Sequence, residues 1–238
     1  MATQMETPLR SSAVEDYAKA IYALQMRAEP AVGALPVSTN ALAERLGVTP
    51  GSASAMTKRL GELGLVIHVP YKGLALTDAG RRVALEVIRH HRLLELYLVE
   101  GLGLPWDRVH EEAEVLEHVL SEQLEAVLAA KLGNPTLDPH GDPIPGPDLE
   151  LTEPETHSLD TLEPGRQGTF ARVSDADPEM LRYLAERGIA PGDRFEVVDR
   201  QPFGGPVFVR FGNSRTVQPL GGELARAMRI ELDPARSR

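Results

Sequence analysis

The chain of 238 residues contains no cysteine. That absence removes disulfides, thiolate metal sites and cysteine nucleophiles together. No apolar run approaches the roughly 18 residues needed to span a bilayer, and the first residues, MATQMETPLR, lack the apolar core of a signal peptide. A soluble, cytoplasmic protein is therefore expected. An excess of positive charge is missing as well, since the net charge is −10. The deficit is uneven: residues 1–75 hold seven Lys/Arg against six Asp/Glu, whereas the remainder holds 18 against 29. An acidic total thus does not exclude DNA binding by a locally neutral to basic N-terminal part. With 42% apolar residues, the length argues for more than one domain.

The most informative stretch that is present is RVHEEAEVLEHVLSEQ, from Arg108 to Gln123. It sets His110, Glu114, Glu117 and His118 at intervals i, i+4, i+7 and i+8, which share one stripe of a helix. Carboxylates mixed with imidazoles suit a divalent first-row metal. The plain alternative is a solvated acidic face with two incidental histidines. His91 and Glu95, one turn apart in the preceding helix, weigh against it.

Read in order, Ser11 to Met26 has the apolar period of a helix, and Val37 to Arg45 reads as a second, short one with Ser38 or Asn40 as cap. Thr49-Pro50, a cap residue followed by proline at the first helical position, opens a third helix that runs to about Leu63, where Gly64 stops it. This is a helix-turn-helix pattern. Two short strands about Tyr71-Lys72-Gly73 then form a wing. A long amphipathic helix follows from Ala79 to about Gly101, suited to a dimer interface or a connector. The block Trp106 to Leu132 is expected to be helical, and the Pro/Gly-rich residues from Gly133 to Pro154 form either a linker or a packed loop. From Leu159 onward, short alternating runs around one helix, Pro178 to Arg187, suggest a small SH3-like barrel. The expected fold is mainly α with a small β part. Its expected domains are a winged helix-turn-helix over 1–76, a helical dimerisation and metal-binding domain over 77–147, and an SH3-like (FeoA-like) domain over 158–233.

With SAVEDYAKAIYAL near the N-terminus, RHHRLLE around His91, VHEEAEVLEH from Val109 and GNPTLDPHGDPIPG from Gly133, the chain resembles the diphtheria toxin repressor family of metal-dependent transcriptional regulators, manganese branch included. The likeness covers nearly the whole chain. It implies a homodimer that binds a palindromic operator when loaded with Fe(II) or Mn(II) and represses metal uptake. It further implies a primary metal site from Asp16, Glu114, Glu117 and His118, and an ancillary site from His91, Glu95, His110 and Asp177, with Glu179 competing for the last place. Iron-type members carry methionine and cysteine at the positions of Asp16 and Glu114. An oxygen and imidazole set suits the harder Mn(II), so manganese is the expected effector and Fe(II) the alternative. Manganese-type relatives also place a second glutamate one position after Ala18, where this chain has Lys19. A cation there disfavours a closely spaced two-metal site, and two separate sites are expected.

On the recognition helix, Thr49, Pro50, Gly51, Ser52 and Ser54 are small enough for close approach to base edges, with DNA shape supplying further specificity. Lys58 and Arg59 are the expected phosphate contacts, with Lys72 in the wing and Arg10 as weaker ones. For each of these, ordinary surface exposure is the competing reading. His140 reads as a hydrogen-bonding loop residue rather than a ligand, His68, His90 and His157 stand isolated without a role, and Met180 reads as core. Two other classes compete: a metallohydrolase built on the His/Glu clusters, and a winged-helix regulator answering an organic ligand. The former lacks a separate general base, and the latter leaves the clustered acidic residues unexplained.

Overall fold

The computed structural model describes residues 11–27, 36–69 and 73–233. Lys72 and Arg10 lie outside the described residues. Contacts divide the chain into two units, one of residues 1–91, 116–121 and 145–150, the other of residues 92–115, 122–144 and 151–238.

In the first unit, helix α1 spans Ser12–Arg27, α2 Thr39–Arg45 and α3 Pro50–Glu62. Each start has a local cause. Ser38 Oγ accepts the Ala41 amide at 3.1 Å, and Thr49 Oγ1 accepts that of Ser52 at 3.1 Å with Pro50 directly after it. The third helix ends at Gly64, whose φ of +73° is the left-handed conformation that closes a helix. Strands β1 (Val66–Val69) and β2 (Gly73–Leu76) pair antiparallel as the wing. Val14, Ile21, Leu42, Leu60, Leu65 and Leu74 form the buried core of this winged helix-turn-helix, each fully buried leucine or isoleucine contributing roughly 1.5–3 kcal/mol. Thr77 accepts the Gly80 amide at 3.1 Å and opens the 25-residue helix α4, Asp78–Leu102, to which both units contribute.

The expected continuous helical block from Trp106 to Leu132 is instead two helices, α5 (Val109–Leu116) and α6 (Glu122–Lys131). Glu117 and His118 occupy the turn that follows α5. The Glu117 carbonyl lies 3.1 Å from His90 Nδ1, a side-chain partner outside the helical ladder. A buried carbonyl satisfied in this way no longer needs the helix to continue.

In the second unit, Leu93, Leu96, Ala129 and Ile144 form a small apolar cluster. The Pro/Gly-rich stretch is a packed loop. Asp138 Oδ1 accepts the amides of His140 at 2.8 Å and Asp142 at 2.9 Å, and the His140 carbonyl accepts the Val173 amide at 3.0 Å. Gly141 is needed there, because its φ is +86° and an added Cβ would fall 2.0 Å from the Ala171 carbonyl oxygen. Strands β3 (His157–Ser158), β4 (Gln167–Val173), β5 (Arg194–Arg200), β6 (Val207–Phe211), β7 (Val217–Leu220) and β8 (Met228–Leu232) form one antiparallel sheet in the order β3-β8-β4-β5-β6-β7. Helices α7 (Pro178–Ala185) and α8 (Gly222–Ala227) accompany it, and its core is centred on Phe170, Val197, Val209 and Met228. Met180 packs against that core, in line with its sequence reading. The sequence pattern missed β8, although this strand pairs with both β3 and β4.

Candidate metal centre

In the first unit, Asp16 on α1 and Glu117 and His118 in the turn after α5 offer ligand atoms within 4.8 Å of one another. His118 Nε2 lies 3.0 Å from Asp16 Oδ1 and 3.6 Å from Glu117 Oε1. Its other nitrogen, Nδ1, donates to Glu15 Oε2 at 2.6 Å. A carboxylate on Nδ1 fixes the tautomer and turns the Nε2 lone pair towards the two other carboxylates, the usual support for a histidine ligand. Glu15 was missed in the sequence, where it reads only as an acidic neighbour of Asp16. The Glu117 side chain is fully buried and meets two more groups: Lys19 Nζ at 2.8 and 3.0 Å from its two oxygens, and His91 Nδ1 at 2.5 Å.

In the second unit, Glu95 on α4 belongs to two overlapping sets. It lies within 4.8 Å of His110 and Asp175, and within 4.8 Å of Asp138 and His140. His110 Nδ1 is 2.9 Å from Asp175 Oδ2 and 3.5 Å from Glu95 Oε1. The Asp175 carboxylate, then that of Glu95, push His110 up to about 10. His140 is completely buried, and its Nε2 lies 2.9 Å from the Trp106 carbonyl, which can only accept, so Nε2 is the donor. Its Nδ1 then points at Glu95 Oε2, 3.6 Å away, with no hydrogen bond among the described residues. Burial alone lowers this imidazole, but Glu95 and then Asp138 outweigh it and bring it up to about 9. Burial first, then the charges of Asp142 and Glu95, raise Asp138 to about 8. Each of these shifts has the same cause: carboxylates packed together and against a ring nitrogen favour positive charge at the site and hold protons more tightly.

A divalent cation carries such charge. The donors are carboxylates and imidazoles throughout, and an orphaned, fully buried ring nitrogen is aimed into the second cluster. The residues present fit a first-row divalent ion at both places.

Asp16, Glu117 and His118 come together within the first unit, and within the second unit the Glu114 carboxylate lies 3.8 Å from His110 Nε2. Glu95 and His110 come together within the second unit, and within the first unit His91 meets Glu117. Asp177 is the N-cap of α7, its Oδ1 accepting the Glu179 amide at 2.9 Å, so the carboxylate facing His110 is that of Asp175, two residues earlier. Glu179 is exposed. His140, read from the sequence as a loop residue, lies inside the cluster. The only signal for it was its place in the DPHG segment, two residues after an aspartate in a stretch otherwise crowded with proline and glycine.

A winged helix-turn-helix, a helical segment bearing two His/carboxylate clusters and a small SH3-like β domain define a metal-responsive DNA-binding protein. Three family models match in the same order: the iron dependent repressor N-terminal DNA binding domain over residues 11–74, the iron dependent repressor metal binding and dimerisation domain over 77–146, and the FeoA domain over 157–232. The chain is 34% identical over 231 residues to the iron-dependent repressor IdeR of Mycobacterium leprae (strain TN), covering 91% of this chain and 96% of that protein. It is 32% identical over 227 residues to the diphtheria toxin repressor of Corynebacterium efficiens, covering 91% and 94%. Among solved structures it resembles a manganese-dependent transcriptional repressor in complex with manganese (45% identity, TM-score 0.82, 91% and 98% covered) and the manganese regulator SloR (28% identity, TM-score 0.71, 92% and 98% covered). The chain belongs to the diphtheria toxin repressor family of metal-dependent transcriptional repressors. That family comprises repressors, not enzymes, which removes the metallohydrolase reading. Among the described residues, no helix is long and apolar enough to cross a membrane.

Proposed function

We propose that this protein is a cytoplasmic, Mn(II)-responsive repressor whose homodimer binds palindromic operators of metal-uptake genes when metal-loaded. The observation that carries the reading is the sulfur-free donor set of the first cluster, Asp16, Glu117 and His118, which suits a hard divalent ion. The second ion is held by Glu95 with His110 and Asp175 on one side and His140 and Asp138 on the other. Glu114 and His91, expected from the sequence to serve these sites, are assigned by metal titration of E114Q and H91N. Similarity to a manganese-dependent repressor at 45% identity supports manganese, and relatives named for iron make Fe(II) the competing effector.

Asp16, Glu117 and His118 would hold one ion, whose positive charge would offset the repulsion between the converging carboxylates. Asp16 is part of the segment matched as the DNA-binding domain, and Glu117 and His118 are part of the segment matched as the dimerisation domain. Their convergence ties α1 to the turn after α5. In a dimer this tie sets the separation of the two α3 helices, which must match the roughly 34–36 Å repeat of the major groove. Thr49, Pro50, Gly51, Ser52 and Ser54, exposed at the start of α3, are the proposed contacts to base edges and backbone, and the exposed Lys58 and Arg59 the proposed contacts to phosphates. Lys72 is proposed for the wing on its sequence alone. The apolar side chains of Val115, Leu124 and Val127, 50–71% exposed in the single chain, supply a dimer surface.

The test is capture of fragmented genomic DNA by metal-stripped protein with and without Mn(II), followed by competition with Fe(II) and Zn(II) at fixed salt. Metal-dependent enrichment of a few palindromic sites is expected. Equal capture with chelator and with metal would reject metal gating, and a response to Fe(II) at lower free concentration than to Mn(II) would reassign the effector.

A further inference from the structure

The Lys19 ammonium sits over both oxygens of the Glu117 carboxylate, at 2.8 and 3.0 Å, and 3.2 Å from His91 Nδ1. The two oxygens of one carboxylate are donors a divalent ion takes. Here they surround an amine. The Glu117 side chain is fully buried and that of Lys19 is 20% exposed, so the contact is partly shielded from solvent. Leaving such a carboxylate without a cation is costly, and in the metal-free chain Lys19 meets that cost. The same carboxylate is one of three donors in the Asp16, Glu117 and His118 cluster.

Glu117 therefore serves two cations in one place. We infer that Lys19 is an internal competitor of the metal, which sets the concentration at which the repressor responds and limits this cluster to one ion. The inference rests on the metal-site reading proposed above. A metal at Asp16 and His118 must either draw Glu117 away from Lys19 or share the carboxylate with a nearby positive charge. Both weaken binding, the first by losing a bidentate ion pair and the second by repulsion between close charges. The ammonium also fills the space against His91 where a second ion could reach Glu117.

A purely structural ion pair makes a different forecast, since its removal would lower stability and leave metal affinity unchanged. The experiment titrates Mn(II) into metal-stripped full-length wild type, K19M, K19R, K19E and D16A. Free Mn(II) is read by its electron paramagnetic resonance signal, bound ions are counted by equilibrium dialysis, and thermal melts check folding. The expected result is that K19M binds the Asp16-dependent ion about tenfold more tightly or better, because a positive charge is lost within a few ångströms of it. K19R stays close to wild type. K19E turns the competitor into a donor and raises the count by one ion per chain, with exchange broadening of the manganese signal.

Unchanged or weaker affinity in a folded K19M overturns the inference. Should K19M not fold, a wild-type ion count in K19E together with wild-type affinity overturns it equally. Asp16-dependent binding that no Lys19 variant alters defeats this inference alone, whereas wild type without any Asp16-dependent binding defeats the metal-site reading beneath it.

Discussion

The two clusters use the same donor chemistry and differ in what holds them together before metal arrives. In the first, the buried Glu117 carboxylate is met by the Lys19 ammonium and the His91 ring, and His118 is clamped between Glu15 and Asp16. In the second, Arg92 lies 3.7 Å from Asp138, and protons on His110 and His140, raised to about 10 and about 9, supply positive charge next to Glu95. An incoming ion thus competes with the Lys19 side chain at one place and with protons on two imidazoles at the other. Occupancy of the second should therefore follow pH steeply.

The largest way to break this contrast is G141A. Gly141 turns the loop that carries His140, and an added Cβ falls 2.0 Å from the Ala171 carbonyl oxygen at a φ of +86°. A loss on the order of 3 kcal/mol in unfolding free energy is expected by denaturant titration. Any folded fraction should keep Asp16-dependent metal binding and lose the Glu95-dependent ion.

D16A attacks the other side. It should remove the first ion and reduce the metal-induced gain in operator affinity by about 5- to 150-fold in a binding titration at fixed salt, the usual range of such coupling. An unchanged requirement for Mn(II) would break the link between α1 and the turn after α5.

The pH dependence sharpens the contrast directly. Each proton displaced from His110 or His140 should steepen second-site affinity by about tenfold per pH unit, rising with pH below the raised values of these groups. In H140A that slope should fall by one proton. The protein contains a single tryptophan, Trp106, whose ring stacks on His140 at 5.7 Å, so its fluorescence reports on this site. The sign for the metal-free fold is opposite. Both imidazoles are raised above the ordinary 6.5, so their contribution to stability is fully present below that pH and is lost as pH climbs through about 9 and 10.

The smallest effect is expected for E15Q. It leaves all proposed ligands in place and weakens only the support of His118 Nδ1, which should reduce first-site affinity by about tenfold with the second site unaffected.

Legibility from the sequence followed the range of the forces involved. Ser38, Thr49-Pro50, Gly64 and Thr77 are local punctuation, and the elements they bound appeared close to where their caps and turns predict. The break at Glu117 was not legible, because nothing in VLEHVL stops a helix. A histidine from 27 residues away and a lysine from 98 residues away hold that turn. Asp177 was a reasonable expectation from the resemblance, but its carboxylate serves the α7 amides, while Asp175 faces His110.

The sequence by itself determined the winged helix, the helical segment rich in histidine and carboxylate, the β domain and, by containing no cysteine, a donor set without thiolates. These depend on periodicity, caps and composition, which act between near neighbours. Only the tertiary structure decided which carboxylate meets which imidazole, that His140 belongs to a cluster, and that Lys19 stands at Glu117 as a resident cation. Such pairings join residues far apart in the chain and depend on how buried charges find counter-charges, a property of the packed interior that no local pattern encodes.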